Sequence, residues 1–320
     1  MSKRIVLATL GSYGDVHPYM AIAMELRERG HRPVIATSEL YREKMTTAGI
    51  EFAPMSPHIP PPQEQEQKMM ENVMHPRRGT GFLMNEMLFP FVREGYQDLL
   101  KAVEKADLLV THPITFAGPL VAQKTGIPWV SSVLAPASFL SAYDPPEPPF
   151  WPWMRHAKLF GPRFVAAFFK QAQKAYRNKD YDKFRKELGL PDRGNPVFAG
   201  QHSPSLVLAL FSELFARRQP DWPKHTRITG FAFYDGRHEQ EMPPALKRFL
   251  DYGMPPIVFT LGTSAVWVAQ DFYRESIAAA RSLGRRAVLL IGDERNKPNE
   301  SLPPEMIAVN YAPFESLLWW

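Results

Sequence analysis

The sequence predicts a two-domain α/β protein in which parallel strands alternate with helices. An apolar run over 3–9 is followed by a glycine turn and by a helix over 18–29 that stops at Gly30. Strand-like runs at 107–111 and 128–133 flank a helical stretch over 116–124, which is the βαβ pattern of a parallel sheet. A second series of strands and helices begins near Pro255.

The remaining elements complete two domains. In the first domain the pattern predicts strands at 32–37 and 205–210, two helices within 64–105 (the second over 90–105) and a long helix over 162–188. In the second it predicts strands at 257–261, 286–291 and 307–310 and a helix over 270–283. We therefore expect a first domain over 1–219, a crossing over 220–254 and a partial second domain over 255–320.

Composition restricts the class of protein. A chain of 320 residues with 45% hydrophobic residues is long enough for two cores. It has no apolar stretch long enough to span a membrane, no signal peptide and no cysteine for a disulfide or a thiolate site, so we expect a cytoplasmic protein. The net charge of +5 is modest and no nucleic-acid motif is present, so nucleic acid is not an expected partner.

The turn after the first strand carries a carboxylate. Its glycines are spaced Gly11-x-x-Gly14, followed by Asp15, whereas a dinucleotide site requires G-x-G-x-x-G. Asp15 would repel a phosphate, but it suits a general base that accepts a proton from a neutral hydroxyl. Aspartate at this place also caps helices, and the spacing alone leaves both interpretations open.

Residues 11–31, with G-S-Y-G-D-V-H-P, a helix and then R-G-H, resemble the start of family 1 glycosyltransferases with a family-28-type acceptor domain. Sterol glucosyltransferases, glycopeptide-antibiotic glycosyltransferases and rhamnolipid rhamnosyltransferases share this pattern. The resemblance continues over nearly the whole chain and is most similar to the rhamnosyltransferase branch. It includes G-I-E-F at 49–52, A-P-A-S at 135–138, Q-H-S-P at 201–204, P-D-W-P at 220–223, T-G-F at 229–231 and V-F-T-L-G-T-S at 258–264.

This resemblance implies the GT-B architecture, in which two Rossmann-like parallel-sheet domains face each other. It implies an inverting hexosyltransferase that moves a sugar from a nucleotide-diphosphate sugar to a hydroxyl of a small apolar acceptor. Asp15 would be the catalytic base. The family's sugar transfer needs no metal here and no cofactor beyond the donor, a dTDP- or UDP-sugar.

Further candidate residues lie near the two expected substrates. Gly11, Ser12 and Gly14 complete the acceptor-side turn, and His17 and His112 are candidates beside it, although a surface histidine and a loop histidine are ordinary alternatives. Gly262, Thr263 and Ser264 follow the first strand of the second domain. Backbone N–H groups and hydroxyls in this turn could bind a diphosphate. The spacing fits a plain helix cap equally well, and the resemblance favours donor contact.

Apolar side chains in the loops of the first domain favour a lipid-like acceptor; they are Met69, Met70, Phe82, Trp151, Trp153 and Phe164. In the helix predicted over 162–188, phenylalanines 164, 168 and 169 stand among basic residues. This pattern suits a helix packed across the domain, and it also suits peripheral contact with the inner face of a membrane.

The sequence departs from the family near its end. A P-x-x-A-x-x-x-H-x-G-G-x-G-T block and a D-Q-x-x-N segment should follow and hold the donor, but the chain ends at Trp319-Trp320. We therefore expect an incomplete second domain and an inactive or incomplete fragment. Two other functions stay open: a non-catalytic module that binds the acceptor or lipid, and a sugar-nucleotide epimerase of the same fold, although epimerases lack the G-S-x-G-D turn.

Overall fold

Two parallel sheets, one in each of two structural units, confirm the α/β prediction. The computed structural model describes residues 1–57, 63–147, 152–234, 241–299 and 301–318. The first unit comprises Met1–Pro60 and Pro76–Phe233, and the second comprises Pro61–His75 and Tyr234–Trp320. Within the described residues, no helix is both long and apolar enough to cross a membrane.

The sheet of the first unit has seven strands. They are β1 (Arg4–Ala8), β2 (Arg32–Thr37), β3 (Glu51–Pro54), β4 (Leu108–Thr111), β5 (Trp129–Val133), β6 (Val207–Ala209) and β7 (Thr226–Ile228). Their order is β3-β2-β1-β4-β5-β6-β7, so the winding direction reverses between β1 and β4. In open parallel sheets a ligand crevice forms at this reversal, beyond the carboxyl ends of the strands.

The second unit has a smaller sheet. Its strands are β8 (Ile257–Thr260), β9 (Ala287–Leu290) and β10 (Met306–Val309), in the order β10-β9-β8. These are the three strands that the sequence predicts for this part of the chain. Val288 and Leu290 on one face of β9 pack with Leu246 and Leu317, while Leu289 on the other face packs with residues that include Ile277.

Helices cover both sheets. They are α1 (Tyr13–Glu28), α2 (Arg42–Thr47), α3 (Gln63–Val73), α4 (Gly79–Phe82), α5 (Val92–Ala102), α6 (Ala117–Thr125), α7 (Pro162–Ala175), α8 (Lys179–Glu187), α9 (Pro244–Leu250), α10 (Phe272–Ser282) and α11 (Phe314–Leu318). Leu99 of α5 and Leu120 of α6 are fully buried with Val6 and Leu109 in the main core of the first unit.

The predicted start of α1 at residue 18 is wrong, because the helix begins at Tyr13 and contains Pro18. Ser12 is the N-cap residue and Asp15 occupies the third helical position. This Ser-x-x-Asp spacing resembles a capping box, which begins a helix upstream of the proline. The consequence is that Gly14, Asp15 and His17 lie on the first turns of α1 rather than in a loop.

The predicted long helix over 162–188 is two helices. The chain breaks at 176–178, where the Asn178 side chain accepts a hydrogen bond from the Tyr181 N–H at 2.9 Å and caps α8. A π-helical segment (Leu83–Leu88) and a 3-10 turn (Phe89–Phe91) also precede α5, which starts at Val92 rather than 90.

The boundary between the units differs from the predicted crossing over 220–254. Residues up to Phe233, including β7, belong to the first unit, whereas α9 belongs to the second. Helix α3, predicted within the first domain, belongs to the second unit, where it contacts the 3-10 turn Ala265–Val268. The predicted crossing therefore contains β7 of the first unit and α9 of the second.

Helix α6 lies unusually close to β4. A Cβ atom added at Gly118 would lie 2.5 Å from Thr111 Cγ2, and Thr111 is only 2% exposed. The Thr111 hydroxyl is also held, since it accepts a hydrogen bond from Trp129 Nε1 at 2.9 Å. Gly118 therefore permits a contact that fixes the end of β4, directly before His112.

We expect Gly118→Ala to destabilise the first unit by about 1–3 kcal/mol, because the added methyl group overpacks the contact with Thr111. Alanine has a higher helix propensity than glycine, so a loss of stability would come from the contact and not from the helix itself. Gly81→Ala in α4 is the matched control, since a Cβ there meets no atom within 4 Å. Urea denaturation of both variants measures the difference, and equal or higher stability of Gly118→Ala would contradict the contact.

Candidate active site

The turn between β1 and α1 depends on one glycine. Gly11 has φ +121°, a backbone conformation that residues other than glycine rarely adopt. A Cβ at Gly11 would also lie 2.2 Å from Asp15 Oδ2. The Gly11 carbonyl accepts a hydrogen bond from the Tyr41 hydroxyl at 2.8 Å, which fixes the turn from outside. Glycine therefore lets the Asp15 carboxylate fold back over the chain.

The two oxygens of the Asp15 carboxylate have different partners. Oδ2 accepts hydrogen bonds from the Ser12 N–H at 2.8 Å and from the Ser12 hydroxyl at 3.3 Å. This is the reach of a capping-box acid back to the N-cap residue. Oδ1 lies 3.4 Å from Nε2 of His112. The carboxylate thus makes the contact that capping requires and keeps its second oxygen beside an imidazole.

His112 reaches Asp15 because β1 and β4 are neighbours. Ala8 and Thr111, the last residues of the two strands, are in register, and the His112 N–H donates to the Ala8 carbonyl at 2.9 Å. The Ile114 N–H donates to His112 Nδ1 at 3.4 Å. Nδ1 is therefore the hydrogen-bond acceptor, and the proton that faces Asp15 is carried by Nε2.

Exposure distinguishes the two members of this pair. The Asp15 side chain is 33% exposed, whereas that of His112 is 6% exposed. The ring of Tyr19 approaches that of His112 edge-on at 5.9 Å between centroids, and the Tyr19 hydroxyl is itself bonded to Ser132 Oγ at 2.6 Å. Asp15 is therefore the member of the pair that solvent reaches, whereas His112 is buried.

Partial burial raises the pKa of Asp15, but the contacts around the carboxylate outweigh it. The hydrogen bond from His112, the positive charge of that imidazole when protonated and the two bonds from Ser12 leave the Asp15 pKa below its ordinary value. Asp15 is therefore ionised at neutral pH. An ionised carboxylate that is partly exposed is able to accept a proton.

The structure brings Gly11, Ser12, Asp15 and His112 together. Gly14 is exposed on the first turn of α1, and a Cβ there would meet only Ser12 Oγ at 3.7 Å, so the fold itself does not require glycine at this position. His17 is half-buried and its ring lies 5.1 Å from that of Tyr13. The sequence did not indicate Tyr19 or Tyr41, because their partners are distant in the chain.

Gly262, Thr263 and Ser264 lie in the second unit, between β8 and the 3-10 turn Ala265–Val268. The helix that the sequence predicts over 270–283 is α10, which begins at Phe272, so the 3-10 turn lies between it and these three residues. Gln270, with a left-handed φ of 45°, separates the short turn from α10. Thr263 is exposed, Ser264 is half-buried and a Cβ at Gly262 would meet no atom within 4 Å, so the surface of this turn is open.

No group of three or more metal-binding side chains occurs in the part of the chain that the structure describes. The polar groups of the candidate site are thus a carboxylate, an imidazole, a hydroxyl and backbone N–H groups. Their arrangement is suited to proton transfer.

Comparisons with known proteins identify the family. Residues 5–105 match the profile of the glycosyltransferase family 28 N-terminal domain. Over 310 residues the chain is 30% identical to O-mycaminosyltylonolide 6-deoxyallosyltransferase of Streptomyces fradiae, covering 93% of this chain and 71% of the relative. It is 29% identical over 339 residues to a sterol 3-beta-glucosyltransferase of Neosartorya fischeri, covering 99% of this chain but 22% of that protein.

Solved structures show the same fold. The glycotransferase of kitacinnamycin superposes with a TM-score of 0.61 at 19% identity, covering 99% of this chain and 73% of that one. The spinosyn rhamnosyltransferase SpnG, solved with thymidine diphosphate, gives 0.57 at 14% identity, covering 99% and 72%. These likenesses confirm the predicted GT-B fold, and the comparisons give no support to the epimerase alternative. The chain belongs to the glycosyltransferases that carry a family 28 N-terminal domain.

Proposed function

We propose that the protein transfers a hexose from a nucleoside-diphosphate sugar to a hydroxyl of an apolar, lipid-like acceptor, with Asp15 as the general base. The observation that carries this proposal is the ionised and partly exposed Asp15 carboxylate, held by Ser12 and His112 beside the carboxyl ends of β1 and β4. The two curated relatives, whose acceptors are a macrolide and a sterol, support an apolar acceptor.

The proton chemistry follows from the carboxylate. The acceptor oxygen attacks the anomeric carbon on the face opposite the diphosphate, so one C–O bond forms, the other breaks and the configuration inverts. The hydroxyl proton passes to Asp15, and the nucleoside diphosphate leaves with the bonding electrons. Because the low pKa of Asp15 makes it a weak base, the proton moves only as the new bond forms and acidifies the hydroxyl.

His112 is proposed as a positioning residue. Its Nε2–H points at Asp15 Oδ1 and fixes the orientation of the carboxylate, while its burial keeps it away from the acceptor. Gly14 and His17 remain candidates for acceptor contact on the same turn.

Donor contact is proposed for Gly262, Thr263 and Ser264, whose open turn offers hydroxyls and backbone N–H groups to a diphosphate. The structure of the rhamnosyltransferase with thymidine diphosphate supports a dTDP-sugar, and a UDP-sugar is the other candidate. A cytoplasmic location suits a protein that consumes nucleotide sugars.

Asp15→Asn is expected to reduce transfer by about 10²–10⁴-fold, because asparagine is of similar size but accepts no proton. The measurement is turnover of dTDP- and UDP-sugars with a sterol or macrolide acceptor, in an active protein that contains this chain. Asp180→Asn, an exposed carboxylate on the first turn of α8, is the control and should retain full activity. Normal turnover by Asp15→Asn would show that Asp15 only caps the helix. If the parent protein binds the acceptor but shows no turnover, a non-catalytic module would be favoured.

His112→Ala is expected to move the acidic limb of the kcat/KM profile to higher pH. Asp15 is active when ionised, so the rate falls as the pH drops through its pKa, which lies below the ordinary value in the parent. Removing the imidazole removes a hydrogen bond and a positive charge, so this pKa rises. His225→Ala, an exposed histidine of the same unit, should leave the profile unchanged. An unshifted limb in His112→Ala would show that the imidazole does not act on Asp15.

Replacing both Thr263 and Ser264 with alanine is expected to weaken dTDP binding at least about tenfold, because a hydrogen bond to a charged group contributes about 1.5–3 kcal/mol. Titration calorimetry measures the dissociation constants in the active protein that contains this chain. The control pair Ser282→Ala and Ser301→Ala removes exposed hydroxyls from the same unit. Equal affinity of the two double variants would mean that these hydroxyls do not contact the donor.

A further inference from the structure

Helix α7 and the 3-10 segment before it (Pro152–Phe160) form an amphipathic layer on the first unit. On the inner side Val165, Phe169 and Ala172 are buried, and the first two pack with Met154 and Ala157. This buried face fixes the orientation of the helix, so the opposite side is held outward. A helix with one packed apolar face usually carries polar residues on the other.

The outer side of this layer carries large apolar side chains instead. Leu159, Phe160 and Phe164 are 83%, 61% and 49% exposed, and we call these three residues the aromatic tip. The Phe160 and Phe164 rings lie 5.1 Å apart, so they form one apolar surface rather than separate exposed residues. Such clusters on a protein surface mark interaction sites.

The charge around the aromatic tip has a single sign. Residues 152–177 contain six lysines and arginines and no aspartate or glutamate, although the whole chain has 38 basic and 33 acidic residues. Arg163, Lys170 and Lys174 are exposed on α7. Of the residues that the structure describes, none forms an ion pair with these three, whereas Arg177 at the end of the segment pairs with Asp182 and Asp192.

We propose that the aromatic tip and the cations of α7 dock on the surface of an anionic lipid bilayer. Exposed phenylalanine and leucine flanked by lysine and arginine are the composition of helices that lie in the membrane interface. Each cation near an anionic surface increases binding by about fivefold, so unpaired cations act together while the rings enter the headgroup region. A protein partner would need acidic side chains opposite these cations, and binding to it would not depend on lipid charge.

This docking is a function beyond glycosyl transfer, and it does not require Asp15. Asp15→Asn should bind vesicles as the parent does, so loss of transfer and loss of docking are separate results. The link to the proposed function is the acceptor, because an apolar acceptor partitions into the bilayer on which the first unit would lie.

The charge requirement is tested by co-sedimentation of the full chain with vesicles of phosphatidylcholine alone or with phosphatidylglycerol. We expect binding only to the anionic vesicles, weaker at high salt. Lys170→Glu/Lys174→Glu should lower the partition coefficient at least about 25-fold. The matched control, Lys247→Glu/Arg248→Glu on α9, makes the same charge change at exposed positions of the second unit. Equal loss in both variants, or equal binding to neutral vesicles, would overturn the proposal.

The insertion of the aromatic tip is tested with a fluorescent label, which the absence of cysteine makes site-specific. Phe164→Cys carrying an environment-sensitive nitrobenzoxadiazole group should shift to the blue on anionic vesicles. Leu283→Cys, at a leucine that is 64% exposed in the second unit, should not shift. Circular dichroism verifies that both labelled proteins are folded. A shift at neither position, or the same shift at both, would contradict docking through α7.

Discussion

The pairing of β1 with β4 is the constraint on which the candidate site depends. Ala8 lies opposite Thr111 at the ends of the two strands. His112, the residue after β4, donates its backbone N–H to the Ala8 carbonyl. A slip of one residue would turn the side chains of β4 to the other face of the sheet. The register therefore decides whether an imidazole meets Asp15. Gly118 lets α6 lie against Thr111, the last residue of β4, without a clash.

The same carboxylate begins a helix and is the more exposed member of the pair that Asp15 forms with His112. The sequence leaves capping and proton transfer as alternative roles for Asp15. The geometry is compatible with both roles, because the two carboxylate oxygens have different partners. Oδ2 is held by Ser12, and Oδ1 faces His112. The contact that caps α1 also restricts the rotation of the side chain, so the proposed base is oriented by the helix it begins. Gly11 allows this arrangement, since any side chain there would meet Asp15 Oδ2.

Elements with strong local signals could be predicted from the sequence, and those set by distant contacts could not. Apolar runs predict five strands of the first sheet. The other two, β3 and β7, are the edge strands, and of their residues only Thr226 is buried, so they carry too little apolar pattern. The start of α1 was misplaced because Pro18 looks like a first-turn proline, while the Ser12 cap lies upstream. For the site, Asp15 came from its motif. The position of His112 at a strand end was visible, but its contact with Asp15 needed the register of two strands about 100 residues apart.

The net charge of the whole chain does not indicate the basic surface around the aromatic tip. A net charge of +5 is what lysines and arginines scattered over solvated helices would give. The stretch 152–177, however, has basic residues and no aspartate or glutamate. The buried face of α7 determines which of these residues point outward, and that information comes from packing rather than composition. Asp15 and the aromatic tip both belong to the first unit, whereas Thr263 and Ser264 belong to the second. Acceptor activation and membrane docking are therefore assigned to one unit and donor contact to the other. Substitutions in the second unit act on donor contact alone, and within the first unit Asp15→Asn and the substitutions on α7 separate the other two roles.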